Sequence, residues 1–157
     1  MASNFARYIA NLRQSLFDEQ ILGERFLEYE KFETTTEGFL EDICVDYFRQ
    51  VAKFKGLMVP QLQGPPYNVP EIERLLNGFN HFSTLFGAVK VTHQINIMKD
   101  CLKHGDFEAS KVTFEGIKRE CEILQSRLEN YFKTRKQGPP AEIEDKPEYG
   151  YMDSDSE

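Results

Sequence analysis

The chain has 157 residues, 40% of them hydrophobic and 13% aromatic, which is one domain's worth of sequence and enough to bury a real core. A formal charge of −7 with no basic stripe disfavours nucleic-acid binding, because nothing is arranged to displace phosphate counterions. With no signal-peptide pattern, no apolar run near ~18 residues, and three cysteines that form no CxxC pair, the sequence reads as a reduced, soluble intracellular protein with no membrane span.

All prolines fall in two clusters, Pro60, Pro65, Pro66 and Pro70, then Pro139, Pro140 and Pro147, so the rest of the chain is free to be helical. No strand-like alternation bounded by hairpin turns occurs, and the expectation is an all-α chain. The first two helices are expected over Asn4 to about Phe17, with Phe5, Tyr8, Ile9, Leu12 and Leu16 apolar, and over Glu19 to about Phe32, with Ile21, Leu22, Phe26, Leu27 and Phe32. A third is expected from about Glu37 to Gly56, where Leu40, Ile43, Tyr47, Val51 and Phe54 recur every three or four residues and Gly56 suits a C-terminal cap.

After the proline-rich loop, successive 100° steps from Glu71 place Ile72, Leu75, Leu76, Phe79, Phe82, Ser83 and Phe86 on one stripe. Glu73, Asn77, Asn80, His81 and Thr84 gather opposite, with Asn77 and His81 one turn apart in the middle of the wet face. Leu85, Gly78 and Ala88 border them, so that face is not uniformly polar. The helix is expected to continue or kink near Gly87 and to run through Val91, Ile95, Met98 and Leu102 to His104. Gly105 then reads as a left-handed stop and Asp106 as the next N-cap. The last helix carries a near-heptad series of Phe114, Ile117, Cys121, Leu124, Leu128 and Tyr131, the narrow stripe of a bundled helix. Together these elements predict an antiparallel four-helix bundle over residues 1–137, with additional helix packed at the N-terminal end.

Cys121 lies on an apolar stripe and Cys44 beside one, so both read as core rather than as nucleophiles. His93 and His104 have no Cys or carboxylate at ligand spacing; no metal or other cofactor is expected. Residues 138–157 hold seven acids against Lys146, which accounts for −6 of the −7 and leaves the bundle nearly neutral. This segment reads as a disordered acidic tail, with Ser154 a low-specificity phosphorylation candidate.

The pattern around Asn77, closing on Gly87-Ala88, resembles the active helix of plant histidine-containing phosphotransfer proteins, roughly HQLKGSSxSIGA. LFDEQILGERFLEYEKF near the N-terminus is similar to that family's opening LLDDQFxQLxxL, and Lys99 through Phe132, ending EILQSRLENYF, follows its last helical hairpin without a gap. The resemblance covers roughly residues 10 to 135. Aligning the Gly-Ala pair puts Asn77 where the family has its phospho-accepting histidine. Asn80 stands for the usual lysine, His81 for a glycine, and Phe82 for the first of two small serines, of which Ser83 alone remains.

The family's chemistry needs a nucleophilic imidazole, a nearby cation to steady the phosphoryl oxygens, and small residues that let a receiver close over the site. A carboxamide nitrogen is delocalised into its carbonyl and does not attack. The resemblance therefore implies a pseudo-phosphotransfer protein: not an enzyme, but a monomeric module that binds receiver domains of hybrid histidine kinases or response regulators, in cytoplasm and nucleus, and dampens a multistep phosphorelay such as cytokinin signalling. Asn77 would be the degenerate acceptor position, Glu73, Asn80, His81, Thr84 and Leu85 the surrounding docking face, and Gln20, Glu24 and Leu27 weaker docking candidates. Three other readings stay open: a solvated surface without a role, an active mediator using His81, and a helical adaptor unrelated to receivers.

Overall fold

A computed structural model describes residues 3–138, and within them the chain is wholly helical. The order is α1 (Asn4–Asp18), α2 (Glu24–Glu33), α3 (Phe39–Gln61), α4 (Val69–Phe86), α5 (Val89–Lys103) and α6 (Phe107–Gln137). Helices α3 to α6 form an antiparallel bundle in which each packs on the next and α6 closes onto α3; α1 lies along α6, and α2 lies across α3 and α4. The all-α four-helix reading holds, with two further helices at the N-terminal end.

Side chains supply most of the helix starts. Ser3, Asn68 and Asp106 each accept a hydrogen bond from a first-turn N–H, of Ala6, Glu71 and Ala109 respectively, satisfying donors that the helix cannot satisfy itself. The start of α3 is capped from a distance: the Glu33 carboxylate, ending α2, accepts from the N–H groups of Gly38 (3.2 Å) and Leu40 (2.8 Å). This fixes the α2–α3 corner.

Three expected boundaries are corrected. The second helix does not start at Glu19: the chain turns through Gln20 in the left-handed region (φ 59°), and Ile21 and Leu22 both donate to the Leu16 carbonyl while their side chains enter the core. Helix α2 then begins at Glu24. The third helix does not end at Gly56, whose φ is not positive; it continues to Gln61 because the stripe Tyr47, Val51, Phe54 goes on through Met58 and Leu62, both buried. Pro60 is carried in its last turn. The fourth helix does not continue past Gly87, which takes φ 89° and ends it; the N–H groups of Gly87 and Ala88 both return to the Ser83 carbonyl, a left-handed C-cap.

The core is a continuous apolar interior in which Met58, Ile72, Leu76, Ile95, Met98 and Ile117 are fully enclosed. Every member of the near-heptad on α6 is buried, as are Cys44 and Cys121. Beneath α4 the packing is aromatic: Phe54 stacks on Phe79 and Tyr47 on Phe86, each at 4.3 Å between centroids, and Phe26 of α2 meets Phe86 edge-on at 5.5 Å. These rings hold the outer face of α4 in place. Cross-helix ion pairs fasten the N-terminal helices: Arg13 grips Glu30 through two hydrogen bonds of 2.8 and 2.6 Å, and Arg127 of α6 binds Glu19 and Ser15. His104 sits at the end of α5 with Nδ1 2.9 Å from the Asp100 carbonyl, as a helix C-terminus favours.

No described helix is long and apolar enough to cross a membrane. The acidic tail expected over 138–157, and Ser154 with it, lies outside the described residues except for Gly138.

Candidate functional site on the outer face of α4

The core face of α4 is Ile72, Leu75, Leu76, Phe79, Ser83 and Phe86, all buried. Opposite them Glu73, Asn77, His81 and Thr84 are exposed, as the helical periodicity predicts. Three neighbours fall elsewhere. Phe82, expected on the core stripe, is 43% exposed at the seam between α4 and α3, its ring 5.9 Å from His81 and edge-on to it. Ala88, expected beside Asn77, is fully buried, because the left-handed Gly87 swings the backbone out of the α4 spiral before it. Asn80 is only partly exposed, and its Oδ1 is enclosed with no hydrogen-bond partner among the described residues.

Burying an amide oxygen without a partner is costly, and such an atom in a folded protein usually marks a site under another constraint. The carboxamide of Asn80 reaches less far than a lysine would, so position 80 presents no charge to the surface. Arg74, the single cation within α4, is tied to Glu71 through hydrogen bonds of 2.9 and 2.7 Å. The face around Asn77 therefore offers amide, imidazole, hydroxyl and aromatic groups, with Glu73 and the Glu71-paired Arg74 about one turn before it. It holds no free cation on α4 to neutralise a phosphoryl group.

The scaffold under the face is made by contacts that sequence periodicity does not display. Buried Ser83 is hydrogen-bonded to the phenol of Tyr47 at 2.7 Å, and burial holds that phenol well above the ordinary tyrosine range. Tyr29 of α2 donates to the Leu85 carbonyl at 2.6 Å, so half-buried Leu85 supports the face mainly through its backbone. Gly23 donates to the Gly87 carbonyl at 2.9 Å. A side chain on Gly87 would meet Phe26 N at 3.1 Å and Arg25 Cβ at 3.2 Å, so the glycine is required by its backbone conformation and by the close approach of α2. The Gly-Ala pair is thus a junction where α4, α5 and α2 meet. Tyr47 is legible in sequence as a core residue, but not as the partner of Ser83.

Gln20, Glu24 and Leu27 border one groove, though not from one helix. Gln20 is in the α1–α2 turn, Glu24 opens α2, and half-buried Leu27 follows; with Arg13, Phe17 and Val89 they line a shallow groove of about 660 Å³. Val89 lies just past the end of α4, and Asn77 lies ten residues before Gly87, or ~15 Å along the helix axis. Two patches therefore flank the C-terminal half of α4. Cys44 and Cys121 are pushed up to about 12 by burial, which leaves both thiols protonated and unreactive. Among the described residues no group of three or more His, Cys, Asp or Glu is placed to hold a metal ion.

No protein-family profile matches the chain. It is 22% identical over 139 residues to pseudo histidine-containing phosphotransfer protein 2 of Oryza sativa subsp. japonica, covering 88% of this chain and 92% of that one. It is 26% identical over 113 residues to histidine-containing phosphotransfer protein 4 of Arabidopsis thaliana, covering 71% and 89% respectively. Its fold matches the crystal structure of a histidine-containing phosphotransfer protein from Medicago truncatula with a TM-score of 0.80 over 87% of this chain and 96% of that one, at 18% identity. The chain thus shares the fold of plant histidine-containing phosphotransfer proteins and is similar in sequence to both pseudo and histidine-containing phosphotransfer proteins of plants.

Proposed function

We propose that this protein is a non-catalytic member of a phosphorelay: it docks on the receiver domains of hybrid histidine kinases or response regulators and occupies them without accepting phosphate. The observation that carries this reading is Asn77, a carboxamide at the exposed centre of α4, on a helix whose one cation is already paired. Docking would use Glu73, His81, Thr84 and Phe82 on α4, with Gln20, Glu24 and Leu27 at the α1–α2 corner as a second patch. Asn80 and Leu85 would act mostly from beneath. The mechanism is competition, since contact energy is retained while the reactive nitrogen is missing, and its consequence in a plant cell is a dampened cytokinin relay. Cytoplasm and nucleus are the compartments in which such receivers would be met.

The test mixes this protein with an active phosphotransfer protein and a phosphorylated receiver. The expected result is no label on this chain and a concentration-dependent fall in transfer to the active protein. An acid-labile, base-stable label that His81→Gln abolishes would replace the proposal with an active mediator using His81. Absence of saturable binding to any receiver would replace it with an unrelated adaptor.

A further inference from the structure

The seam between α3 and α4 is open on either side of Phe82. On the side nearer the start of α4, a pocket of about 180 Å³ has Phe54, Leu75 and Phe79 as its buried floor. Its lips are Leu57 and Phe82, 44% and 43% exposed. It has room for one large apolar side chain. Beyond Phe82 a second pocket, of about 470 Å³, continues along the seam over Tyr47 and Phe86. Two exposed apolar lips over an aromatic floor form the kind of surface that a partner's side chain covers.

The charged residues lining the two pockets are Asp46, Arg49, Lys53 and Arg74. Arg49 is paired with Asp46 at 3.2 Å and Arg74 with Glu71 at 2.7 Å. Lys53, exposed on α3, has no ion-pair or hydrogen-bond partner among the described residues. The seam therefore carries one unmatched positive charge, at the smaller pocket. Around the α4 axis Asn80 falls ~60° to one side of Asn77 and Gly78, which lines that pocket, ~100° to the other. The charge thus lies on the α3 edge of the face, across Asn77 from the edge where position 80 offers none.

We propose that this seam is the selective part of the docking surface: a receiver domain seats one apolar side chain between Leu57 and Phe82 and sets a neighbouring carboxylate on Lys53. The inference rests on the receiver-docking reading above and adds the chemistry by which one receiver is preferred to another. The apolar side chain, once desolvated in the pocket, holds the complex together. Lys53, at the rim, speeds the encounter and makes it salt-sensitive. A receiver with a cation at the matching position is rejected, because Lys53 then meets a like charge.

The test measures association and dissociation of purified receiver domains from plant hybrid histidine kinases and response regulators on the full-length chain, at low and high salt. Lys53→Gln is expected to weaken binding ~2–5-fold and to flatten its salt dependence, and Lys53→Glu to weaken it ~10-fold, mainly through slower association. Lys53→Arg should bind as wild type does. Phe82→Ser should speed dissociation ~10-fold, with a thermal melt showing that the variant is folded. Arg119→Gln, an exposed cation of α6 that lines neither pocket, should change nothing. Wild-type affinity in both Lys53→Gln and Lys53→Glu overturns the seam proposal and leaves the receiver reading standing. An equal loss in Arg119→Gln does the same, since the attraction would then be diffuse. No saturable binding by the wild-type chain overturns both.

Discussion

The junction at the end of α4 can be tested with two glycines on one helix, for which the structure requires effects of opposite sign. At Gly87, alanine must take φ 89°, a left-handed backbone that costs an L-residue ~1–2 kcal/mol, and its Cβ would lie 3.1 Å from Phe26 N and 3.2 Å from Arg25 Cβ. Both contacts belong to α2, one of them to its backbone, so relief requires the helix to shift, which adds ~1–2 kcal/mol of overpacking. The sum is roughly 2–4 kcal/mol, or a Tm lowered by roughly 6–12 °C for a domain of this size. At Gly78 a Cβ meets nothing within 4 Å, and the residue is in the helix interior. There alanine removes backbone entropy from the unfolded chain and should add ~0.5–1 kcal/mol. Urea unfolding and thermal melts followed by circular dichroism measure both. A Gly87→Ala protein as stable as wild type, or a Gly78→Ala protein weakened to the same degree, would refute the account of Gly87 as a three-helix junction.

Tyr47→Phe should cost ~1–2 kcal/mol by leaving the Ser83 hydroxyl buried without its partner, and the Tyr47→Phe/Ser83→Ala double variant should be less destabilised than the sum of the singles in urea titrations. Asn77→His alone should not recover phosphotransfer from a labelled receiver, because position 80 still lacks a cation and Phe82 still projects; adding Asn80→Lys, His81→Gly and Phe82→Ser should increase label uptake over the single variant. Burial raises the Cys44 and Cys121 thiols from 9.0 to about 12, so above pH 9 the unfolded chain loses protons that the folded chain keeps, and stability falls as pH rises. The expected loss is ~1.4 kcal/mol per pH unit per thiol, and Cys44→Ala should flatten the slope between pH 9 and 11 in denaturant titrations. In native protein at pH 8, half-buried Cys101 should react with a disulfide reagent well before the other two thiols.

Periodicity alone was sufficient for the all-helical class, for the core stripe of α6 and, Phe82 apart, that of α4, and for the caps at Gly105 and Asp106, because each depends on residues within a turn or two of one another. It also put Glu73, Asn77, His81 and Thr84 on the wet face, since a 100° step specifies a side chain's direction once the helix is granted. What it could not specify was any boundary or side chain whose neighbours come from another helix. The α1–α2 turn exists because Gly23 must reach the Gly87 carbonyl, and α3 overruns Gly56 because Met58 and Leu62 find the core. Phe82 has the right angle for burial yet lies at the α3 seam, while Ala88, nominally exposed, is buried by the break at Gly87. The enclosed oxygen of Asn80 and the Tyr47–Ser83 bond are likewise products of packing, since burial and partnership are properties of the assembled helices and not of any one of them.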